Sequence, residues 1–224
     1  FENLGGNVGV VTFFLSSTFT NQPENITIRG NIFNTAGKKA ILVLNNGGMY
    51  SDPWNIIIDS NSGSCKEPFD IRHDIVGVTI TNNSFDMTAK PLLGFNTADI
   101  IKDVVVSGNI FHCNSSGGLV LRSGENIVIS NNTFANTVDY GILVGKTGSD
   151  LENVTISNLV LTNWQQFKKG SILVRLNTLY GPQEINGNSG QYQSAIFNED
   201  ESIAVNLGLL PYPKREQLSK PWLI

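Results

Sequence analysis

The strongest constraint on this fold is a short phrase that returns along the chain. In its clearest form, residues 126–134, it reads Asn-Ile-Val-Ile-Ser-Asn-Asn-Thr-Phe, which is an apolar strand, an asparagine corner and an aromatic residue. Five further copies, some of them weaker, lie at 25–33, 55–61, 77–85, 103–111 and 153–158. Such self-similarity predicts a repeat protein in which each copy forms the same structural unit.

The spacing of the copies indicates which repeat fold is formed. A loop and a second apolar strand follow each copy, and the corner asparagines recur every 22 to 30 residues. This period predicts a parallel β-solenoid of about seven or eight coils. Helical repeats are excluded because helical periodicity is nearly absent, and a β-sandwich does not give identical corners at this period. The predicted solenoid covers residues 1–180, and 181–224 form a terminal coil or cap and a proline-containing tail.

Stacking the coils in register places like residues on like residues. Strand residues such as Ile127 and Ile129 are therefore expected in the core, and Gly63 should leave a gap in an internal stack of phenylalanines. The corner asparagines should form a ladder that ends where Leu159 replaces Asn, because amide side chains can bond both one another and the turn backbone. The expected ladder consists of Asn31, Asn61, Asn83, Asn109 and Asn132.

Composition limits the partners and cofactors. A net charge of −4, with only 15% charged residues, argues against nucleic acid as the main partner. No apolar run approaches about 20 residues, so no membrane span is predicted. No ligand cluster has metal-site spacing, and neither a metal nor another cofactor is expected. Cys65 and Cys113 fall in one column but two coils apart, about 9 to 10 Å, which predicts free thiols.

The repeated phrase, with its asparagine corner and phenylalanine stack, resembles the right-handed parallel β-helix proteins of the pectate-lyase-like superfamily. The resemblance covers roughly residues 8–178 and includes the phage tailspike and polysaccharide depolymerase type. It implies an all-β, right-handed, single-stranded parallel β-helix. The superfamily includes polysaccharide lyases, glycoside hydrolases, epimerases, adhesins and tailspikes, so the resemblance assigns no catalytic residue.

Three columns of surface residues carry candidate chemistry. In the first, Asp86 and His112 directly follow the stacked phenylalanine on adjacent coils, and Lys90 and Tyr140 lie at the far end of the same loop. A base and a cation beside a bound uronic acid would serve β-elimination. Asp86 and His112 are therefore candidate catalytic residues, and Lys90 and Tyr140 are candidate substrate contacts. The alternative is a solvated loop face with incidental charges.

The second column precedes the repeated strand. Glu125 and Glu152 occupy this position in consecutive copies, with Asp103 as an equivalent. Carboxylates one or two coils apart would be about 5 to 10 Å apart, the range that glycosidases use, so both glutamates are candidate catalytic residues. Acidic residues at such turns are also common as solvated caps.

The third column is the outer side of the second strands. Arg72, Arg122 and Arg175 are expected in one register, where they would bind an anionic polysaccharide or remain hydrated surface arginines. Trp54 would stack on a sugar ring or pack on the solenoid flank. An outward apolar stripe beside them predicts a partner surface, most simply a homotrimer, unless a loop or the tail covers it. This stripe consists of Leu42, Leu93, Val120, Leu143 and Leu173.

Together these features favour a polysaccharide-binding β-helix of a tailspike-like trimer located outside the cell or on a virion surface, and they leave open whether it also degrades the polysaccharide. A secreted monomeric lyase or hydrolase and a non-catalytic structural or adhesive solenoid are the alternatives. Because no capping helix opens the sequence, the chain is also expected to be a piece of a longer protein.

Overall fold

The computed structural model describes residues 10–16, 24–46, 53–93, 101–113, 118–136, 140–144, 151–162, 172–176, 183–186, 189–190 and 196–198. No helix occurs among them. The first ten strands are β1 (Val11–Ser16), β2 (Thr27–Arg29), β3 (Ile32–Asn46), β4 (Ile56–Asp59), β5 (Ser62–Arg72), β6 (Ile75–Thr81), β7 (Ser84–Met87), β8 (Leu92–Leu93), β9 (Ile101–Ser107) and β10 (Ile110–Cys113). The others are β11 (Leu119–Leu121), β12 (Gly124–Ser130), β13 (Thr133–Ala135), β14 (Tyr140–Val144), β15 (Leu151–Ser157), β16 (Val160–Thr162), β17 (Ile172–Leu176), β18 (Gln183–Asn186), β19 (Ser189–Gly190) and β20 (Ile196–Asn198).

The strands form the three faces of a parallel β-solenoid. A seven-stranded sheet in the order β18-β15-β12-β9-β6-β4-β2 makes the first face. The second sheet contains the long strands β3 and β5, which run across two faces. Strands β7, β10, β13, β16 and β19 continue the second face from the start of β5, and β8, β11, β14, β17 and β20 continue the third face from its end.

The predicted fold class is confirmed, and every described pairing is parallel. The number of coils and the boundary at residue 180 fall partly outside the described residues and stay predictions. The described part of the chain contains no helix that is long and apolar enough to cross a membrane.

Alternation along each strand builds the core, as the repeat predicted. Ile127 pairs with Val104 and Val154 on the neighbouring coils, and all three side chains are buried. The rings of Phe111 and Phe134 stack at a centroid distance of 5.4 Å. Burying such aliphatic and aromatic side chains supplies the main driving force for folding.

Gly63 interrupts the phenylalanine stack because there is no space for a side chain. A Cβ atom at this position would lie 2.2 Å from the carbonyl oxygen of Phe33, and its φ of +128° is one that other residues rarely adopt. The rings of Phe33 and Phe85, two coils apart, lean toward each other across the gap to a centroid distance of 6.3 Å. The gap predicted at Gly63 is therefore filled by its neighbours.

The asparagine ladder is the polar counterpart of this core. Asn109 donates from Nδ2 to Oδ1 of Asn132 (2.9 Å) and to the carbonyl oxygen of Ile80 (2.9 Å). Its own Oδ1 accepts from the backbone N–H (3.0 Å) and Nδ2 (2.9 Å) of Asn83. The same pattern joins Asn31 to Asn61 and Asn61 to Asn83, and Leu159, fully buried, takes the next position, as predicted.

A left-handed residue precedes each ladder position and turns the chain from the first face to the second. These residues have φ between 50° and 68° and are Gly30, Ser60, Asn82, Gly108, Asn131 and Asn158. Glycine and asparagine tolerate this conformation best, which explains why they occupy five of these six positions. Each Asn-Asn pair thus contains one exposed turn residue and one buried ladder residue.

Both cysteines are free and buried, as predicted from the register. Both side chains point into the core from the second face. Met87 lies between them, because it pairs with Cys65 on one side and with Cys113 on the other. Burial raises the pKa of each thiol to about 12, because the thiolate would lose its hydration. These thiols are therefore uncharged packing groups.

The ladder generates a stability prediction. Replacing Asn109 by Ala should lower the free energy of unfolding by about 3 kcal/mol, because the buried amide of Asn83 and the carbonyl of Ile80 lose their partners. Urea unfolding followed by circular dichroism measures the loss. Asn131→Gly is the matched control, since Asn131 is exposed at a φ of 55° that glycine adopts freely. Equal losses in the two variants would contradict a stabilising role of the ladder.

Candidate functional site

Asp86 and His112 are brought together on the second face. Strands β7 and β10 pair in register, which places the two residues side by side on adjacent coils, about 4.8 Å apart between Cα atoms. Their neighbours Phe85 and Phe111 point into the core, so both side chains point outward. Asp86 is exposed and His112 partly exposed, and neither forms a hydrogen bond or an ion pair within the described part of the chain. This juxtaposition agrees with the register expected from the sequence.

The pair belongs to a longer polar row that the sequence reasoning missed. Asn34 and Ser64 occupy the same outward column on the two preceding coils, and both are exposed. The signal was available, because each directly follows the inward position of Phe33 or Gly63. The row ends at Ala135, which is buried beside His112. We call Asn34, Ser64, Asp86 and His112 the polar row.

Lys90 lies where the chain leaves the second face. The preceding turn is held by the N–H of Ala89, which donates to the carbonyl oxygen of Lys66 (2.7 Å). Lys90 is partly exposed, and Lys66 on the adjacent coil is exposed. Tyr140 begins β14 in register with Ile172, and its side chain lies outside the described part of the structure. The lysine is thus four residues beyond Asp86, outside the polar row.

The second column is rearranged relative to the prediction. Glu125 pairs in register with Glu152 on one side, as expected, but with Lys102 on the other. The ammonium group of Lys102 lies 2.6 Å from Oε2 of Glu125, with 40% and 34% of the two side chains exposed. Glu125 is therefore half of an ion pair, and only the strand position of Glu152 is described.

Asp103 is not the equivalent of Glu125, and that expectation was wrong. Asp103 and Asn126 both adopt a positive φ, of 54° and 56°, and Nδ2 of Asn126 donates to Oδ1 of Asp103 over 3.0 Å. A similar bond of 3.2 Å joins Asn55 to Asn25. These residues share one exposed column along the first face, which is interrupted at Gly77, and Asp103 lies in it one position past the acidic column.

The arginine column is correct for two of its three members. Arg72 and Arg122 follow Ile71 and Leu121, which both pair with Leu93. Arg175, however, pairs with Leu143 and so belongs to the neighbouring column. The error arose because the spacing aligned Ile172 with Ile142, whereas the actual partner of Ile142 is Val174.

Three of the five members of the predicted apolar stripe are buried, Leu143 is partly exposed, and the side chain of Leu173 lies outside the described part of the structure. Leu93 belongs to the core, and the strand position that pairs with Val120 is occupied by Leu92. Leu42 and Val120 do face away from the core, yet only 7% and 1% of them is exposed. Asp70 interrupts the column between Leu42 and Leu92. The described part of the stripe from which a homotrimer was inferred is therefore largely buried within a single chain.

Trp54 is not a platform for a sugar ring. Its side chain is fully buried in the core cluster, and its backbone N–H donates to the carbonyl oxygen of Val76 (2.8 Å). Its indole N–H has no hydrogen-bond partner among the described residues. The alternative, that it packs on the solenoid flank, does not describe this environment either, because the side chain lies in the core. Within the described ranges, no group of three His, Cys, Asp or Glu residues could hold a metal ion.

The sequence matches a protein-family model described as a right-handed β-helix region over residues 25–161, well over half of the chain. This chain belongs to the right-handed β-helix family. The match includes the ladder, the polar row and the acidic column, so all of these features lie on the family's scaffold. The pectate-lyase-like resemblance and the tailspike type stay predictions. Among curated proteins, none matches the sequence significantly.

A solved structure shares the fold. It is the Streptococcus pneumoniae surface protein and adhesin PfbA, at 20% sequence identity and a TM-score of 0.50. The superposition covers 77% of this β-helix chain and 49% of the PfbA chain. The chain thus spans about half the length of that structure, and the likeness concerns the fold alone.

The burial of Trp54 can be measured in solution. The difference between the fluorescence spectra of the wild type and Trp54→Phe isolates this side chain from the other two tryptophans. We expect its emission to be blue-shifted and resistant to iodide, and Trp54→Ala to cost about 3 to 5 kcal/mol of unfolding free energy. Iodide quenching as efficient as that of free tryptophan would contradict the burial and show that Trp54 is exposed to solvent.

Proposed function

We propose that this β-helix binds a polysaccharide along its second face and is displayed outside the cell or on a virion surface. The polar row carries the proposal. Asn34 and Ser64 offer hydrogen-bonding groups, and Asp86 and His112 have no partner among the described residues. All four lie on successive coils in one line parallel to the solenoid axis.

A straight row of this kind suits an extended polymer better than a compact ligand. Groups repeated at the coil spacing of about 4.8 Å can follow the repeated hydroxyl groups of a glycan chain. The neighbouring outward column adds Ile32 and Ile110, which are 61% and 41% exposed and offer apolar contacts for the faces of sugar rings. Polar groups combined with isolated apolar contacts are typical of carbohydrate recognition surfaces on rigid scaffolds.

Surface display is part of the same proposal. The solved structure with the same fold is that of a protein described as a surface protein and adhesin. A low charge density and a rigid parallel scaffold also fit an exposed binding module.

Cleavage of the bound glycan is a second candidate function, favoured by the adjacency of Asp86 and His112. A carboxylate and an imidazole one coil apart can act as base and acid on one bond, in a lyase or a hydrolase. Lys90 would then contact a carboxylate of the substrate, and Tyr140, Arg122 and Arg175 would be outlying contacts. The Glu125–Glu152 pair is the competing acid pair, although Lys102 already neutralises one member.

The polar row is tested by glycan binding and turnover. A polysaccharide array should identify a bound glycan, and Asp86→Ala and His112→Ala should each weaken its binding about 10-fold or more. Ser130→Ala, on the first face, is the matched control and should bind normally. Release of reducing ends or unsaturated products that disappears in the first two variants would establish cleavage. Unchanged binding in both variants would exclude the polar row.

The tailspike-like homotrimer is a separate prediction. Its original reason, an exposed apolar stripe, is weakened by the burial of Leu42 and Val120. Sedimentation equilibrium of the full chain measures the state directly. A mass three times 24.4 kDa would support the trimer. A single-chain mass would instead favour the monomeric lyase, hydrolase or adhesive solenoid.

A further inference from the structure

The outward side of the third face holds a buried cluster of four charged residues. Asp70 has no exposed side-chain surface, and Lys39 and Glu67 are each only 15% exposed. The ammonium group of Lys39 contacts the carboxylate of Asp70 directly and lies 2.9 Å from Oε2 of Glu67. Arg72 completes the cluster. Its Nε donates to Oδ1 of Asp70 over 2.6 Å, and Nη2 of its guanidinium group contacts Oδ2.

The register of two adjacent coils brings these groups together. Strands β3 and β5 pair in parallel, so that Lys39 lies beside Glu67 and Leu42 beside Asp70. A bulge between Thr35 and Lys39 sets this register. Since Phe69 and Ile71 point into the core, Asp70 must point outward. Leu42, which lies beside it in the same column, is also buried, with 7% of its surface exposed. The acid and the amine are thus held in contact with little water around them.

We propose that Lys39 and Asp70 form an intramolecular isopeptide bond, with Glu67 as the proton-transfer group. Proton transfer from the ammonium of Lys39 to Asp70 gives a neutral amine and a neutral acid. The lone pair of Nζ then attacks Cγ of Asp70, and an N–Cγ bond forms. Glu67 takes a proton from the nitrogen and delivers it to the leaving hydroxyl group, the C–O bond breaks, and one water departs. No oxidant or other co-reactant is needed.

Arg72 fits the same step. When Nζ attacks, negative charge develops on the oxygen that does not leave, and a guanidinium donor already aimed at this oxygen stabilises it. Oδ1 of Asp70 is in this position, 2.6 Å from Nε of Arg72. Glu67, 2.9 Å from Nζ, is within the reach required of a general base.

Other ion pairs of the described residues lack this arrangement. In the Arg29–Asp59 pair, 62% of the arginine side chain is exposed, and the Lys102–Glu125 pair is 40% and 34% exposed. The Lys102–Glu125 pair is therefore the matched control, since it is a lysine and an acid on adjacent coils without burial. Water solvates both groups of such an exposed pair, so the amine and the acid are not desolvated together.

The proposal is tested by the mass of the full chain under denaturing conditions. We expect a mass one water below that of the sequence. Trypsin should then yield residues 39–66, uncleaved after Lys39, joined to residues 67–72 through Lys39 and Asp70. This joined peptide distinguishes the bond from loss of water elsewhere in the chain. An unmodified mass, with cleavage after Lys39, would overturn the proposal and leave an ordinary ion-pair cluster.

Variants separate the bond from the role of Glu67. Glu67→Gln keeps the shape of the cluster but removes the proton-transfer group, so the linked fraction after a fixed time should fall about 100-fold. Lys39→Met should give no joined peptide, and Lys102→Met should link as the wild type does. Full linkage in Glu67→Gln, with native circular dichroism, would overturn the role of Glu67. Linkage of another lysine in Lys39→Met would overturn the assignment of the amine.

Discussion

The structure depends on the hydrogen-bonded stacking of one asparagine per coil. Asn61, Asn83 and Asn109 each bond the next ladder residue and a backbone carbonyl of the coil before, so each is satisfied without water. A buried amide out of register would lose several bonds at once, which makes any slip costly. The ladder therefore fixes which residues face each other, although the intervals between its members vary from 22 to 30 residues.

This register turns sequence distance into spatial contact. Asp86 lies beside His112, Lys102 beside Glu125 and Lys39 beside Glu67, although each pair is separated by more than 20 residues in the chain. The repeated positions are occupied by core and ladder residues and are not free to do chemistry. Chemistry is therefore possible only in the columns where the copies differ, such as the polar row.

The sequence was sufficient wherever a repeated residue marked the register. The cores of the first and second faces, the end of the ladder at Leu159 and the free cysteines followed from the asparagine corner. The third face has no such marker, and there Leu93 and Arg175 were assigned to the wrong columns. The bulge in β3 that brings Lys39 beside Glu67 has no repeated signal either. Trp54 was misjudged because its insertion lies outside the repeated phrase.

The position of the charged cluster gives it a structural meaning. A coil at the end of a solenoid has only one neighbour to stabilise it, and it opens first. In the described part of the chain, β2 ends the first face, whereas on the third face β1 lies beyond β3 and pairs with it. The coil that contains β2 and β3 is therefore close to this end of the described solenoid. An amide bond between Lys39 on β3 and Asp70 on β5 would join this coil covalently to the next. Unlike an ion pair, such a bond stays intact when the chain unfolds. Burying four charges costs free energy that an ion pair rarely recovers, whereas forming an amide removes two of the charges altogether. The location and the burial thus have one physical explanation, which an ordinary salt bridge does not provide.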